Sequence, residues 1–229
     1  MIGSRSAVRA SEASEAHAVG VLLSGGMDSA IALHWAIASY GRGHVFALSI
    51  DYGQRHGPRE LSSARRIAHA ARVEHVERAI VVPWGESLLT GGASASAVVP
   101  GRNVILASLA AMEVARRGGD AVVIGCCADD AASFPDCRAP FLDAMASAVS
   151  AALDHPVKLV APLLDATKAS MLERAARIPG ALEAVDLSWS CYCPRSAGAR
   201  APIACGECNA CVLRARAFEA AGRCDPRRR

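Results

Sequence analysis

Short, continuously apolar runs alternate along this chain with longer stretches of helical period. Val19-Gly20-Val21-Leu22-Leu23 reads as a buried strand. It breaks into Ser24-Gly25-Gly26, and a helical pattern follows from Met27 to about Tyr40. The alternation continues with a strand over Val45–Asp51, a helix from about Pro58 to Arg72 and a strand over Val76–Val82. Beyond these come a helix capped by Asn103 and running to about Arg117, a strand over Ala121–Gly125, a helix over Pro140–Leu153, a strand over Val157–Val160 and a helix over Thr167–Arg177. Strands joined through helices predict an α/β fold, a doubly wound parallel sheet with helices on both faces. Residues 85–101, rich in Gly, Ser and Ala, read as a loop over a site.

The pattern changes near residue 186, where Cys, Gly and Pro become frequent and only Cys211–Gly222 looks helical. Three regions are expected: a disordered start over 1–18, an α/β domain over 19–185, and a small metal-binding C-terminal appendage over 186–229. With 229 residues, 52% of them apolar, the chain can bury one sizeable core. A net charge of +3 is too small to imply direct nucleic-acid or membrane binding, and Arg227-Arg228-Arg229 reads as a solvated tail. No apolar run is long enough for a membrane span, and the first residues lack the apolar core of a signal peptide. A cytoplasmic location is therefore expected. In that compartment the nine cysteines are metal ligands, buried small residues or reactive thiols, not disulfides.

Two clusters carry chemistry. Ser24-Gly25-Gly26-Met27-Asp28-Ser29 joins the first strand to the first helix, where an open parallel sheet binds ligands. Paired glycines let several backbone N–H groups converge, the helix N-terminus favours an anion, and Ser24 and Ser29 add hydroxyls. Asp28 either orients the turn or holds a cation such as Mg²⁺. A plain strand–helix turn needing Gly for steric reasons would look similar. The second cluster is Cys205-Gly206-Glu207-Cys208-Asn209-Ala210-Cys211 with Cys191 upstream, a ligand set for a closed, structural Zn²⁺ site. Cys193 competes with Cys191 for the fourth position, and spacing alone does not separate zinc from an iron–sulfur cluster.

The hexapeptide resembles the Ser-Gly-Gly-x-Asp-Ser signature of PP-loop ATP pyrophosphatases. A PP-loop at the start and four cysteines at the end together resemble the QueC family of 7-cyano-7-deazaguanine synthases. Further stretches run in family order: Asp51-Tyr52-Gly53-Gln54-Arg55-His56, Pro100-Gly101-Arg102-Asn103, Phe134-Pro135-Asp136-Cys137-Arg138, Ala161-Pro162-Leu163 with Lys168, and Trp189-Ser190-Cys191-Tyr192. The resemblance implies a homodimeric ligase that adenylates 7-carboxy-7-deazaguanine with ATP, forms the amide with ammonia, and adenylates that amide to reach the nitrile.

The resemblance also implies roles. Ser24, Gly25, Gly26, Asp28 and Ser29 would grip the pyrophosphate of ATP, flanked by Leu22, Leu23, Met27 and Gly125. Leu48–Asp51 would face adenine and ribose. Arg102, His56 and Lys168 would meet phosphate charge, and Asp136 and Arg138 the deazaguanine and its carboxylate. Asp136 equally suits a helix cap, His56 a solvated loop, and Trp189 and Tyr192 packing around a metal loop. The stretch Gly125-Cys126-Cys127-Ala128-Asp129-Asp130-Ala131-Ala132-Ser133-Phe134 departs from the family, which favours tyrosine near Ala131 and at Phe134. Segments 178–187 and 193–204 are longer than usual and loop-like. These departures keep open a paralogue that stops at the amide or joins it to another amine.

Overall fold

The computed structural model describes residues 18–81, 89, 99–193, 195–197 and 200–227. The expected disordered start and glycine-rich loop fall largely outside these residues. Five strands form one sheet: β1 (Val19–Leu22), β2 (Val45–Asp51), β3 (Glu74–Ala79), β4 (Ala121–Val123) and β5 (Lys158–Val160). All pairings are parallel, in the order β3-β2-β1-β4-β5, with Val19 between Val45 and Ala121. The chain winds outward from β1 in one direction and returns through β4 in the other. The order therefore reverses beside β1, and a crevice opens at its carboxyl end.

The helices are α1 (Met27–Tyr40), α2 (Gly57–Ala71), α3 (Arg102–Arg116), α4 (Ala128–Ser133), α5 (Ala139–Leu153), α6 (Lys168–Ala176), α7 (Ala181–Leu187) and α8 (Asn209–Ala220). The strands serve both sheet faces by the two-residue period of their side chains. Val19, Val21, Ala47 and Val123 pack with Leu33 of α1, Ile67 of α2 and Ala184 of α7. Phe46, Leu48 and Val122 turn the other way, onto Ala107, Ala111 and Val114 of α3 and Met145 and Val149 of α5. The doubly wound architecture follows from this alternation. Among the described residues no helix is long and apolar enough to cross a membrane.

Several elements differ from the sequence reading. Helix α3 starts at Arg102, with Gly101 as its N-cap at φ 71°, so Asn103 lies inside the helix and does not cap it. The missing acceptor comes from far along the chain: Asp136 Oδ2 takes the Asn103 N–H at 3.1 Å. Helix α7 and the hairpin β6 (Arg195–Ala197) and β7 (Arg200–Ile203) occupy segments read as loops, and helix α4 occupies a stretch to which no element was assigned. Ala128-Asp129-Asp130-Ala131-Ala132-Ser133 is too short to show a helical period, and reciprocal bonds between Cys127 and Asp130 set its start.

The C-terminal region shares the main core. Phe218 and Ala217 of α8 pack with Met171 and Leu172 of α6, Val185 of α7 and Met27 and Ile31 of α1. Arg214 is buried, donating to Ser188 Oγ at 2.7 Å, to the Val185 carbonyl at 3.2 Å and to both oxygens of Asp225. Phe218→Ala is accordingly expected to cost about 3–5 kcal/mol of global stability. In urea unfolding followed by circular dichroism the whole transition should move to lower denaturant, with no early loss of α8 alone.

Candidate active site and metal centre

The turn Ser24–Ser29 is held by its own hydroxyls and by backbone that crowds it from behind. Ser29 Oγ donates to the Gly26 carbonyl at 3.0 Å and lies 3.1 Å from Ser24 Oγ, which accepts the Gly26 N–H at 3.2 Å. Gly26 caps α1 without a side-chain partner, so the first N–H groups of that helix remain directed at whatever sits before it. Gly25 has φ +85°, and a Cβ there would lie 2.3 Å from the Glu60 carbonyl oxygen in α2. A Cβ on Gly125 would meet Ser29 N at 2.8 Å. The Trp189 N–H donates to the Gly25 carbonyl at 2.8 Å, which ties the turn to the segment entering the cysteine cluster.

Lys168, the first residue of α6, reaches back across the sheet. Its Nζ is paired with Asp28 Oδ2 and lies 3.8 Å from Asp130 Oδ2, while its N–H donates to Asp129 Oδ2 at 2.6 Å. Burial works against the Lys168 cation, but Asp28 and Asp130 outweigh it and hold the amine charged. Burial pushes the Asp28 carboxyl up, Lys168 opposes this, and Asp130 and Asp129 add to it. Asp28 Oδ1 is buried and has no hydrogen-bond partner among the described residues.

A cleft of about 200 Å³ lies at the carboxyl end of the sheet, somewhat below the roughly 300–1,000 Å³ usual for small-molecule sites. Its walls include the expected Leu22, Leu23, Ser24, Gly26, Asp28, Ser29, Leu48, His56, Arg102 and Gly125. Gly25 and Met27 support the turn from behind, Met27 within the hydrophobic core. Lys168 acts on the cleft through Asp28. Asp51 sits at the end of β2, where its Oδ1 accepts the Gly53 N–H at 2.9 Å.

Asp136 and Arg138 are not brought to the cleft. Asp136 caps α3 through Asn103, and exposed Arg138 donates to the Ala131 carbonyl at 2.8 Å. Both are diverted because the Pro135–Cys137 segment forms a 3₁₀ turn that buries Cys137 instead. Cleft residues missed from the sequence include Tyr52, Gln54, Glu60, Cys126 and Asp130, and Cys137 and Tyr192 line it as well. Tyr52 and Gln54 stand inside the Asp51–His56 motif, a signal that was present. Burial opposes the Arg102 charge, but the Tyr52 hydroxyl it bonds and nearby Asp136 hold it firmly cationic.

The Sγ atoms of Cys191, Cys205, Cys208 and Cys211 all lie within 4.8 Å of one another. Cys205 is 3.6 Å from Cys191 and 3.9 Å from Cys211. A tetrahedral ion with metal–sulfur bonds near 2.3 Å spaces its sulfurs by about 3.8 Å, so the four thiols fit a single metal ion. Cys191 is buried within this set, and Cys193 is exposed and outside it. Burial opposes a Cys205 thiolate, yet the N–H groups of Cys208 and Glu207 aimed at its sulfur bring it down to about 7. The segment between cluster and cleft is rigidly bonded: Trp189 Nε1 donates to the Cys191 carbonyl at 2.9 Å, and the Tyr192 ring sits 5.2 Å from that of His56.

A family model described as "Queuosine biosynthesis protein QueC" matches residues 17–222. Proteins named 7-cyano-7-deazaguanine synthase from Chromobacterium violaceum and Laribacter hongkongensis are 37% and 36% identical over 224 residues, covering 90% of this chain and 91% and 92% of theirs. The like-named protein of an Azoarcus species is 38% identical over 228 residues, 91% of this chain and 95% of its own. Among solved structures, the U34-tRNA thiolase NcsA from Methanococcus maripaludis, described with its 4Fe-4S cluster, superposes with a TM-score of 0.52 at 18% identity. That match covers 81% of this chain and 63% of NcsA. Glutamine-dependent NAD+ synthetase from Acinetobacter baumannii, in complex with ADP, gives 0.50 at 19% identity over 76% of this chain and 32% of its own. These two likenesses show the shared α/β fold.

Gly25→Ala tests the turn. The substitution forces backbone apart at Glu60 and strains a left-handed residue, so a loss of about 1–3 kcal/mol is expected. Calorimetric titration with ATP should show weakened nucleotide binding in the folded variant while the bound metal is retained.

Proposed function

Since the chain belongs to the QueC family of ligases, we propose that it converts 7-carboxy-7-deazaguanine and ammonia into 7-cyano-7-deazaguanine, consuming ATP and releasing AMP and pyrophosphate. The observation that carries this reading is the phosphate turn, braced by the Lys168–Asp28 pair, opening on the same cleft as the Arg102 cation. Carboxylate and amide oxygens leave poorly. Joining each to AMP makes it a good leaving group, and the protein's task is to position charge around the transfer.

In this reading the N–H groups opening α1 and the Ser24 and Ser29 hydroxyls grip the β and γ phosphates. The backbone of Leu48–Asp51 meets adenine and ribose. Lys168 keeps Asp28 fixed and its own charge near the phosphates. Arg102, forked and cationic, takes the substrate carboxylate, the role first expected of Arg138. The apolar stretch of the cleft formed by Leu106, Ile124, Cys126 and Phe134 suits the flat heterocycle. Mg²⁺ would be held by the free Asp28 oxygen with Asp130, and would screen phosphate charge. Zn²⁺ fits the four thiols as a structural crosslink. A cubane interposes several irons and sulfides between its thiolates and would spread them further than is found here.

Incubating the protein with 7-carboxy-7-deazaguanine, ATP, Mg²⁺ and ammonium should yield AMP and the nitrile by mass. Amide accumulating without nitrile would favour the truncated reaction raised by the Ala131 and Phe134 departures, and no AMP at all would reject the assignment. Asp28→Ala is expected to abolish AMP release without changing metal content. Elemental analysis of the purified protein should give about one zinc per chain, and iron with sulfide in its place would contradict the structural role proposed for the cluster.

A further inference from the structure

One wall of the cleft carries an oriented pair that adenylation leaves unused. His56 is the N-cap of α2, and Glu60 lies one turn further on. His56 Nε2 is 3.3 Å from Glu60 Oε1. The other Glu60 oxygen accepts from Gln54 Nε2 at 3.2 Å, and Gln54 Oε1 in turn accepts the Tyr52 N–H at 2.9 Å. A carboxylate only accepts, so Nε2 carries the ring proton and Nδ1 presents a bare lone pair. The ring is 3% exposed and packs against Tyr192. Among the described residues lining the cleft, His56 Nδ1 and Asp28 Oδ1 are the buried side-chain atoms without a hydrogen-bond partner. Asp28 belongs to the phosphate turn. Asp130 is engaged by the Cys127 N–H and lies beside Lys168, and both oxygens of Glu60 are occupied. A buried, unsatisfied acceptor in a native site calls for a partner, and none of the adenylation roles supplies one.

We propose that His56 Nδ1 is the base that removes protons from the substrate nitrogen, with Glu60 as the residue that positions the ring. This rests on the ligase reading above. In the first half-reaction ammonia attacks the acyl carbon: the C–N bond forms, the C–O bond to AMP breaks with its electron pair on AMP, and the surplus proton on nitrogen passes to Nδ1. In the second, the O-adenylated amide loses its two N–H protons as the C–N bond becomes triple and AMP departs with the C–O pair. Nδ1 accepts these protons in turn and releases each to solvent. Both half-reactions thus end on the same nitrogen, and one base serves both.

The test separates nitrogen chemistry from adenylation. Exchange of labelled pyrophosphate into ATP, driven by the carboxylate without ammonium, reads the first adenylation alone. Amide and nitrile yields read the later steps. His56→Gln should leave exchange within about threefold of wild type and slow amide and nitrile formation on the order of 10²–10⁴-fold, and added imidazole should restore part of the rate in His56→Ala. Equal loss of exchange and product would overturn the proposal by placing His56 on the nucleotide, as would near-normal product formation. Should the His56 variants fail to fold, Glu60→Gln keeps the ring in place. It should lower kcat for the nitrogen steps with the KM for ATP unchanged, and unchanged kcat would count against the pair. If wild type makes no pyrophosphate exchange with the carboxylate, the ligase reading itself fails and this assignment with it. If wild type makes nitrile while the variants match it, only this assignment falls.

Discussion

A turn built on paired glycines, gripped from three directions by other backbone, is the constraint on which this molecule depends. Gly25 lies against the Glu60 carbonyl of α2, Gly125 brings the end of β4 against Ser29, and the Trp189 N–H bonds the Gly25 carbonyl. Each contact comes from a different part of the chain. The turn therefore does not simply follow from strand and helix propensity at its own ends. It is fixed only once α2, the β4–α4 connection and the segment before the cysteine cluster have docked. Rigidity of this kind lets N–H groups point at one place without a ligand to organise them.

The same dependence joins two regions that look separate along the sequence. Trp189 and Tyr192 flank Cys191, one bonded to the Gly25 carbonyl of the glycine turn and the other forming the cleft wall beside His56. A metal bound by the cysteines would hold both residues at fixed distances from the cleft while touching no substrate. Helix α8 meanwhile owes its place to Phe218 and to buried Arg214. The cysteine region is thus an annex by composition and part of the main body by packing.

Much of this was legible in the residues. Helix α1 and strand β2 begin and end where the apolar pattern does, because a buried strand and a mostly buried helix both write long apolar runs into the chain, bounded by polar and glycine residues. The glycine turn and the cysteine set were legible for a similar reason: each is built from particular residue types at short spacing. What could not be read depends on distant partners. Asp136 looked like a substrate ligand, and its carboxylate serves the N-terminus of α3. Arg138 looked like a carboxylate fork, and a local carbonyl holds it outside the cleft. Helices α4 and α7 are too short to register a period. Glu60 gave no signal at all, since one acidic residue in a first turn is ordinary until His56 and Gln54 close around it.

The strand order also governs how the chain must assemble. During synthesis β1, α1, β2, α2 and β3 emerge first and can pair among themselves, so one half of the sheet forms while β4 is still unmade. Through that interval the far edge of β1 offers unpaired backbone and the apolar side chains of α1 lack their final neighbours, a template for pairing with another nascent chain. Val19 is covered on that side only when Ala121 arrives. The central strand, flanked on both sides in the finished protein, thus keeps one edge open until the fourth strand has been made.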